Sequence, residues 1–177
     1  MSKPLKTLPV GVVVERQKAQ SQWIDYTWRP ESVLPGIPDA KPWTILSQTD
    51  ETALIYAGAA EIELHPSETT QYRDNLLSEQ PVLWVVLRAT DLDPPYEVFT
   101  VTADGAEGEG LAYTGSDIVE TVPMPDQIAE TLMSFVSEHH VERVFFKRKR
   151  TETNKDALGR KPVVESVPPA GGGRGQK

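Results

Sequence analysis

Apolar positions before residue 66 recur mostly with period two, which predicts strands rather than helices. Leu8 to Arg16 is the first predicted strand, and Val12, Val13 and Val14 in a row predict burial on both faces. Gln17 to Gln22 is polar and predicts a turn. From Trp23 to Arg29, Ile24, Tyr26 and Trp28 share one face, while Trp23, Asp25, Thr27 and Arg29 share the other. That alternation predicts a half-buried strand. Pro30 cannot donate to a ladder and Pro35-Gly36 signals a turn, so this strand should end or bend there. Trp43 to Ser47 predicts a short strand, and Ala53 to Tyr56 and Ala60 to Leu64 predict two more around Ala57-Gly58. In the last, Ala60, Ile62 and Leu64 face one way and Glu61, Glu63 and His65 the other, as in a sheet with one wet face.

The period changes after Pro66. Thr69 to Leu77 predicts a short helix with Tyr72, Leu76 and Leu77 inward and Ser67 or Thr69 as its cap. Pro81 then opens the most apolar run of the chain, Val82 to Leu87, which is short, β-branched and turn-bounded, and so predicts a central strand. Tyr96 to Thr102 is its expected hairpin partner across Asp91–Pro95. A short helix around Glu107 to Tyr113 would end at Gly115. Pro125 and Asp126 launch the clearest helix, in which Ile128, Leu132, Phe135 and Val136 form one apolar stripe expected to lie against the sheet.

These elements predict an α+β fold: a mostly antiparallel β-sheet, curled into a barrel-like or sandwich core, with a C-terminal helix packed on it. The order of elements fits a seven-strand barrel closed by a helix, as in pleckstrin-homology-like domains. The expected organisation is a flexible N-terminus over residues 1–7 and a single globular domain over 8–146. A basic, Gly/Pro-rich, largely disordered tail is expected over 147–177.

Composition narrows the chemistry. The 177 residues contain no cysteine, which excludes disulfides, thiolate metal sites and cysteine catalysis. The longest apolar run falls far short of the ~20 residues a membrane span needs, and the first nine residues do not form a signal peptide. The expected setting is soluble and cytoplasmic. The net charge of -8 is unevenly placed. Residues 1–146 carry 9 Lys/Arg against 23 Asp/Glu, a balance of -14, whereas residues 147–177 carry 9 against 3, a balance of +6. An acidic body repels phosphates and argues against nucleic acid as a partner, and a basic appendage suggests an interaction segment.

No motif in the chain carries catalysis, and no catalytic residue, metal ligand or cofactor is assigned. His139 and His140 are adjacent and should point in different directions, solvated or capping a helix end, and His65 stands apart. Gly105-Ala106-Glu107-Gly108-Glu109-Gly110 superficially resembles a phosphate loop, but it has no Lys and its glutamates would repel phosphate. A surface turn is the expected reading. The carboxylates show no spacing that singles out an acid–base pair. Of the tryptophans at 23, 28, 43 and 84, Trp23 is the one expected to be exposed, on the face it shares with Arg29. Phe145 and Phe146 precede Lys147, Arg148, Lys149 and Arg150, a combination suited to docking on an acidic or apolar groove. The candidate partner-binding residues are therefore Trp23, Arg29, Phe145, Phe146, Lys147, Arg148, Lys149 and Arg150.

Several segments together resemble a known family. They are Gly11 to Arg16, Trp23 to Pro30 with Val33 to Gly36, Glu68 to Asn75 leading to Pro81–Arg88, Val122 to Pro125, and His139-His140-Val141 through Arg150. In this order they are similar to small uncharacterised bacterial proteins, a domain-of-unknown-function family encoded beside formate dehydrogenase genes. The likeness covers roughly residues 8–150 and brings no established catalytic residue with it. It implies a non-enzymatic accessory, assembly or docking protein for a molybdenum- or tungsten-dependent formate dehydrogenase. The implied partner is a formate dehydrogenase subunit or one of its maturation factors. Two alternatives accompany it: an enzyme or binding module that handles the molybdopterin cofactor, and a structural subunit of the dehydrogenase complex.

Overall fold

The valine run near the N-terminus becomes the middle of a sheet. In a computed structural model, which describes residues 2–142, strand β1 (Lys6–Lys18) lies between β2 (Tyr26–Pro35) and β4 (Thr52–Leu64). Strand β3 (Thr44–Gln48) pairs with the outer edge of β4, so the order is β2-β1-β4-β3. A second sheet has β5 (Val82–Ala89) between β6 (Tyr96–Thr102) and β7 (Ile118–Pro123). Every pairing is antiparallel. Among the described residues three α-helices complete the α+β fold: α1 (Thr69–Leu76), α2 (Gly105–Leu111) and the C-terminal α3 (Asp126–His139).

One core joins the two sheets and two of the helices. Val10, Val12, Val14, Ile62 and Leu64 come from the first sheet, and Leu83, Val85 and Leu87 from the second. Tyr72 of α1 and Ile128, Leu132 and Phe135 of α3 close it. Each fully buried apolar side chain contributes about 1.5–3 kcal/mol relative to exposure, before the entropy of ordering it. The predicted stripe of α3 is the buried one, and the Phe135 ring meets Tyr72 edge to face with centroids 6.2 Å apart. The two-faced burial expected of Val12, Val13 and Val14 is present.

The sheets do not close into a barrel. Strand β2 neighbours β7 and β4 neighbours β6, but among the described residues no ladder joins one sheet to the other. The barrel alternative is therefore set aside in favour of two packed sheets. A second correction concerns Trp23 to Arg29. Strand β1 runs on to Lys18 and Ala19 N–H bonds to the Asp25 carbonyl, so the turn extends to Asp25 and β2 starts at Tyr26. Pro30 does not end that strand. It lies on an edge strand beside a bulge, where the register slips from Val13↔Ser32 to Val14↔Pro30 and Glu31 is the extra residue.

The two strands predicted around Ala57-Gly58 are one thirteen-residue strand, β4. A second bulge absorbs the break in pattern: Val12 faces Gly58 and Val13 faces Tyr56, leaving Ala57 over. Gly58 has φ +150°, a conformation that side-chain-bearing residues rarely adopt. Strand β7 had no counterpart in the sequence pattern, because only Val122 of its six residues is buried. Leu77 is exposed rather than inward, because α1 ends at Leu76 and the buried polar residue Asn75 takes the inner position.

Candidate functional site

The glycine-rich segment that resembled a phosphate loop is neither that nor a surface turn. It is α2, capped by Asp104, whose Oδ1 accepts from the N–H of Ala106 at 2.8 Å and Glu107 at 3.3 Å. Gly105 and Gly108 lie one turn apart and both face Trp84. A Cβ on Gly108 would fall 2.2 Å from Trp84 Cγ. The glycines are there to seat an indole against the helix backbone. Trp28 and Trp43 pack edge to face with centroids 5.8 Å apart. Three of the four tryptophans are thus structural.

Trp23 is different. It is 93% exposed, with Ile24 beside it at 56%, in the loop between β1 and β2. The expectation of exposure holds, although Trp23 stands ahead of the strand and not on its face. Arg29 is engaged within its own sheet. Its Nε donates to Glu15 Oε1 at 3.0 Å, and its Nη2 lies 3.5 Å from Glu31 Oε2. The bond to Glu15, followed by that carboxylate's charge, raises the guanidinium pKa above its ordinary value. Trp23 thus stands in the β1–β2 loop, and Arg29 in strand β2. Phe145, Phe146 and Lys147 to Arg150 lie outside the described residues.

A cleft of about 480 Å³ lies between the distal half of β4 and the edge of β6. Its formation follows from strand lengths. Strand β3 covers β4 only as far as Tyr56, and among the described strands β6 has a partner, β5, on one side alone. At Gly58 the two sheets meet, with Val98 Cγ2 3.8 Å from where a Cβ would stand. Beyond Gly58 the cleft runs towards His65, with Tyr72 of α1 and Asp104 in its lining.

Backbone direction decides what this edge presents. Gly36 N–H donates to the Pro9 carbonyl, so Pro9 faces β2, and its neighbours Leu8 and Val10 face β4. In an antiparallel ladder the residues opposite them, Ile62 and Ala60, bond to β1, and the alternate residues Ala59, Glu61 and Glu63 face away into the cleft. Among the described residues no strand pairs with that side. Tyr72 supplies two bonds there, its OH donating to the Glu63 carbonyl at 3.4 Å and accepting from His65 N–H at 3.1 Å. Burial, the largest cause, pushes the Tyr72 phenol up to about 12.

The cleft is acidic as well as open-edged. Among the described residues, Glu61, Glu63, Glu68, Asp104 and Glu107 line it and no Lys or Arg does. His65 Nε2 lies 3.4 Å from Glu63 Oε2. Such a lining accepts hydrogen bonds and attracts cations. Among the described residues, no three His, Cys, Asp or Glu side chains come together as a metal-ligand set.

Two polar anchors escaped the sequence reading. Asn75 is buried, and its Nδ2 donates to the carbonyls of Val82 at 2.8 Å and Ala103 at 3.0 Å, while its Oδ1 accepts from Val82 N–H at 3.0 Å. It ties α1 to both β5 and the end of β6. His140 accepts from Arg73 Nη1 at Nε2, 3.0 Å, and donates from Nδ1 to Thr69 Oγ1, 3.1 Å, a tautomer assigned because arginine can only donate. That residue fastens the end of α3 to α1. Nothing in the local sequence marks either residue, since both roles depend on long-range contacts.

Fold and site together define an α+β domain of two packed antiparallel sheets with an acidic cleft between two strand edges. The chain belongs to the family described as a protein of unknown function, DUF3305, which it matches over residues 9–150. Neither curated proteins nor solved structures provide a significant match. No helix among the described residues is long and apolar enough to cross a membrane.

Proposed function

We propose that this protein is a non-enzymatic accessory or docking protein, acting in the cytoplasm on a molybdenum- or tungsten-dependent formate dehydrogenase or its maturation factors. The observation that carries the docking part is Trp23, 93% exposed on the β1–β2 loop with Ile24 beside it. A solvated indole is costly to leave uncovered and is the side chain most enriched at the energetic centres of protein interfaces. The dehydrogenase as partner rests on the likeness to proteins encoded beside formate dehydrogenase genes. The cofactor-handling alternative is less favoured. Among the described residues the cleft is lined by five carboxylates and no Lys or Arg, a lining that would repel the phosphate of a molybdopterin.

The test is capture of the tagged full chain from its native host, alongside a Trp23→Ser variant and a deletion of residues 143–177. A formate dehydrogenase subunit should be recovered with the intact chain, and recovery should fall at least tenfold with Trp23→Ser, the scale of an interface hot spot. The deletion removes Phe145 to Arg150 and should also weaken capture. Stoichiometric presence in the purified dehydrogenase would instead assign a structural subunit. Absence of any dehydrogenase component would refute the accessory reading.

A further inference from the structure

We infer that the cleft between β4 and β6 is a strand-addition site, and that its occupant is an extended, lysine- or arginine-bearing peptide segment of a partner protein. The inference starts from backbone. Ala59, Glu61 and Glu63 of β4 direct their peptide groups into the cleft, and no described strand receives them apart from the Tyr72 hydroxyl on the Glu63 carbonyl. Strand β6, on the other wall, is hydrogen-bonded among the described strands to β5 alone. A chain laid between them would find ladder partners on both sides, the arrangement by which peptides extend exposed sheet edges.

Charge selects the occupant. Glu61 and Glu63 are exposed on the outer face of β4, two residues apart, matching the alternation of one face of a neighbouring strand. Basic residues at every second position of the added strand would stand beside them as opposite-charge cross-strand pairs. Glu68, Asp104 and Glu107 extend the same sign along the cleft. The intervening positions of the added strand would face the core side, where Val101 and Tyr72 are buried, and call for small apolar residues. This goes beyond the docking role of Trp23, uses a different surface, and stands whichever protein is the partner.

The experiment uses the full chain and a blocked octapeptide of alternating lysine and valine as the probe, with binding followed by amide chemical shifts. Saturable binding is expected, with shifts concentrated at residues 58–65 and 96–104. Methylating every second peptide nitrogen removes the donors to one edge and should weaken binding roughly tenfold or more. The Glu61→Lys, Glu63→Lys double variant should also lose roughly tenfold, and raising salt from about 0.05 M to about 0.5 M should weaken the wild type several-fold. An alternating glutamate–valine peptide should not bind. Binding that survives nitrogen methylation unchanged would mean charge attraction without strand pairing and would overturn the inference. So would the absence of saturation up to about millimolar peptide, or the same shifts arising without peptide as the protein self-associates. Should the double variant fold poorly, the comparison of methylated and unmethylated peptide on the wild type decides alone.

Discussion

The two halves of β4 have the same partner on one side and different company on the other. From Thr52 to Tyr56 the alternate residues are met by β3, with Thr49 N–H bonded to the Thr52 carbonyl and Trp43 N–H to the Tyr56 carbonyl. From Ala59 to Glu63 no described strand continues that role, and the hydroxyl of Tyr72 reaches in to the Glu63 carbonyl. The residues differ accordingly. The first half buries Ala53, Ile55, Tyr56 and Ala57, whereas the second alternates buried Ile62 and Leu64 with exposed Glu61 and Glu63. Natural sheets protect open edges with charge, and two glutamates at alternate positions do that here. The same charges that discourage indiscriminate pairing would select a basic strand, which ties edge protection to recognition.

If α1 serves as the wall that lets the distal half stay open, loosening α1 should have the largest effect. Asn75→Leu leaves Val82 N–H and the Val82 and Ala103 carbonyls without their partner, and it should cost about 3–5 kcal/mol, since each unsatisfied buried group costs about 1–3 kcal/mol. Denaturant unfolding would show it as a lowered midpoint at unchanged slope. The β6 side of the cleft depends on α2 being seated on Trp84. Gly108→Ala forces a methyl into the indole and should cost about 2–3 kcal/mol, measurable as a drop in the thermal midpoint.

Tyr72 provides a smaller, pH-resolved effect. Its folded-state pKa of about 12 exceeds the ordinary 10.0, so folding holds the phenol protonated. Stability from this group is fully present below pH 10 and is lost as pH rises through 12, because the unfolded chain releases the proton first. Discounted for solvent screening, the loss amounts to about 2 kcal/mol. Tyr72→Phe should flatten that part of the alkaline slope, and an unchanged slope would show that Tyr72 ionises as freely in the fold as in the unfolded chain.

How far the sequence led can be judged residue by residue. The α3 stripe of Ile128, Leu132 and Phe135 was legible because a helix face repeats locally, and the Val82–Leu87 run was legible because a strand buried on both faces has few polar interruptions. Two strands were read where β4 is one, because a bulge at Ala57 and a glycine at 58 look like a turn when the partner strand is unseen. Strand β7 was invisible because an edge strand needs little apolar pattern. Gly105 to Gly110 misled because glycine spacing looks the same whether it accommodates phosphate or tryptophan. The exposure of Trp23 was foreseeable from the polar residues around it. The cleft was not, since it depends on β3 being shorter than β4, and alternating glutamates alone do not say which neighbour a strand lacks.

Amide hydrogen exchange along β4, resolved residue by residue in the free full-length protein, tests the central claim most directly. The account predicts alternation beyond Gly58: slow exchange at Ala60 and Ile62, which bond to β1, and fast exchange at Ala59, Glu61 and Glu63, which face the cleft. Before Gly58, Leu54 and Tyr56 should be slow as well as Ala53 and Ile55, because β3 and β1 hold both sides. Uniformly slow exchange from Ala59 to Glu63 would mean that the edge already has a partner, and the open-edge account would fail.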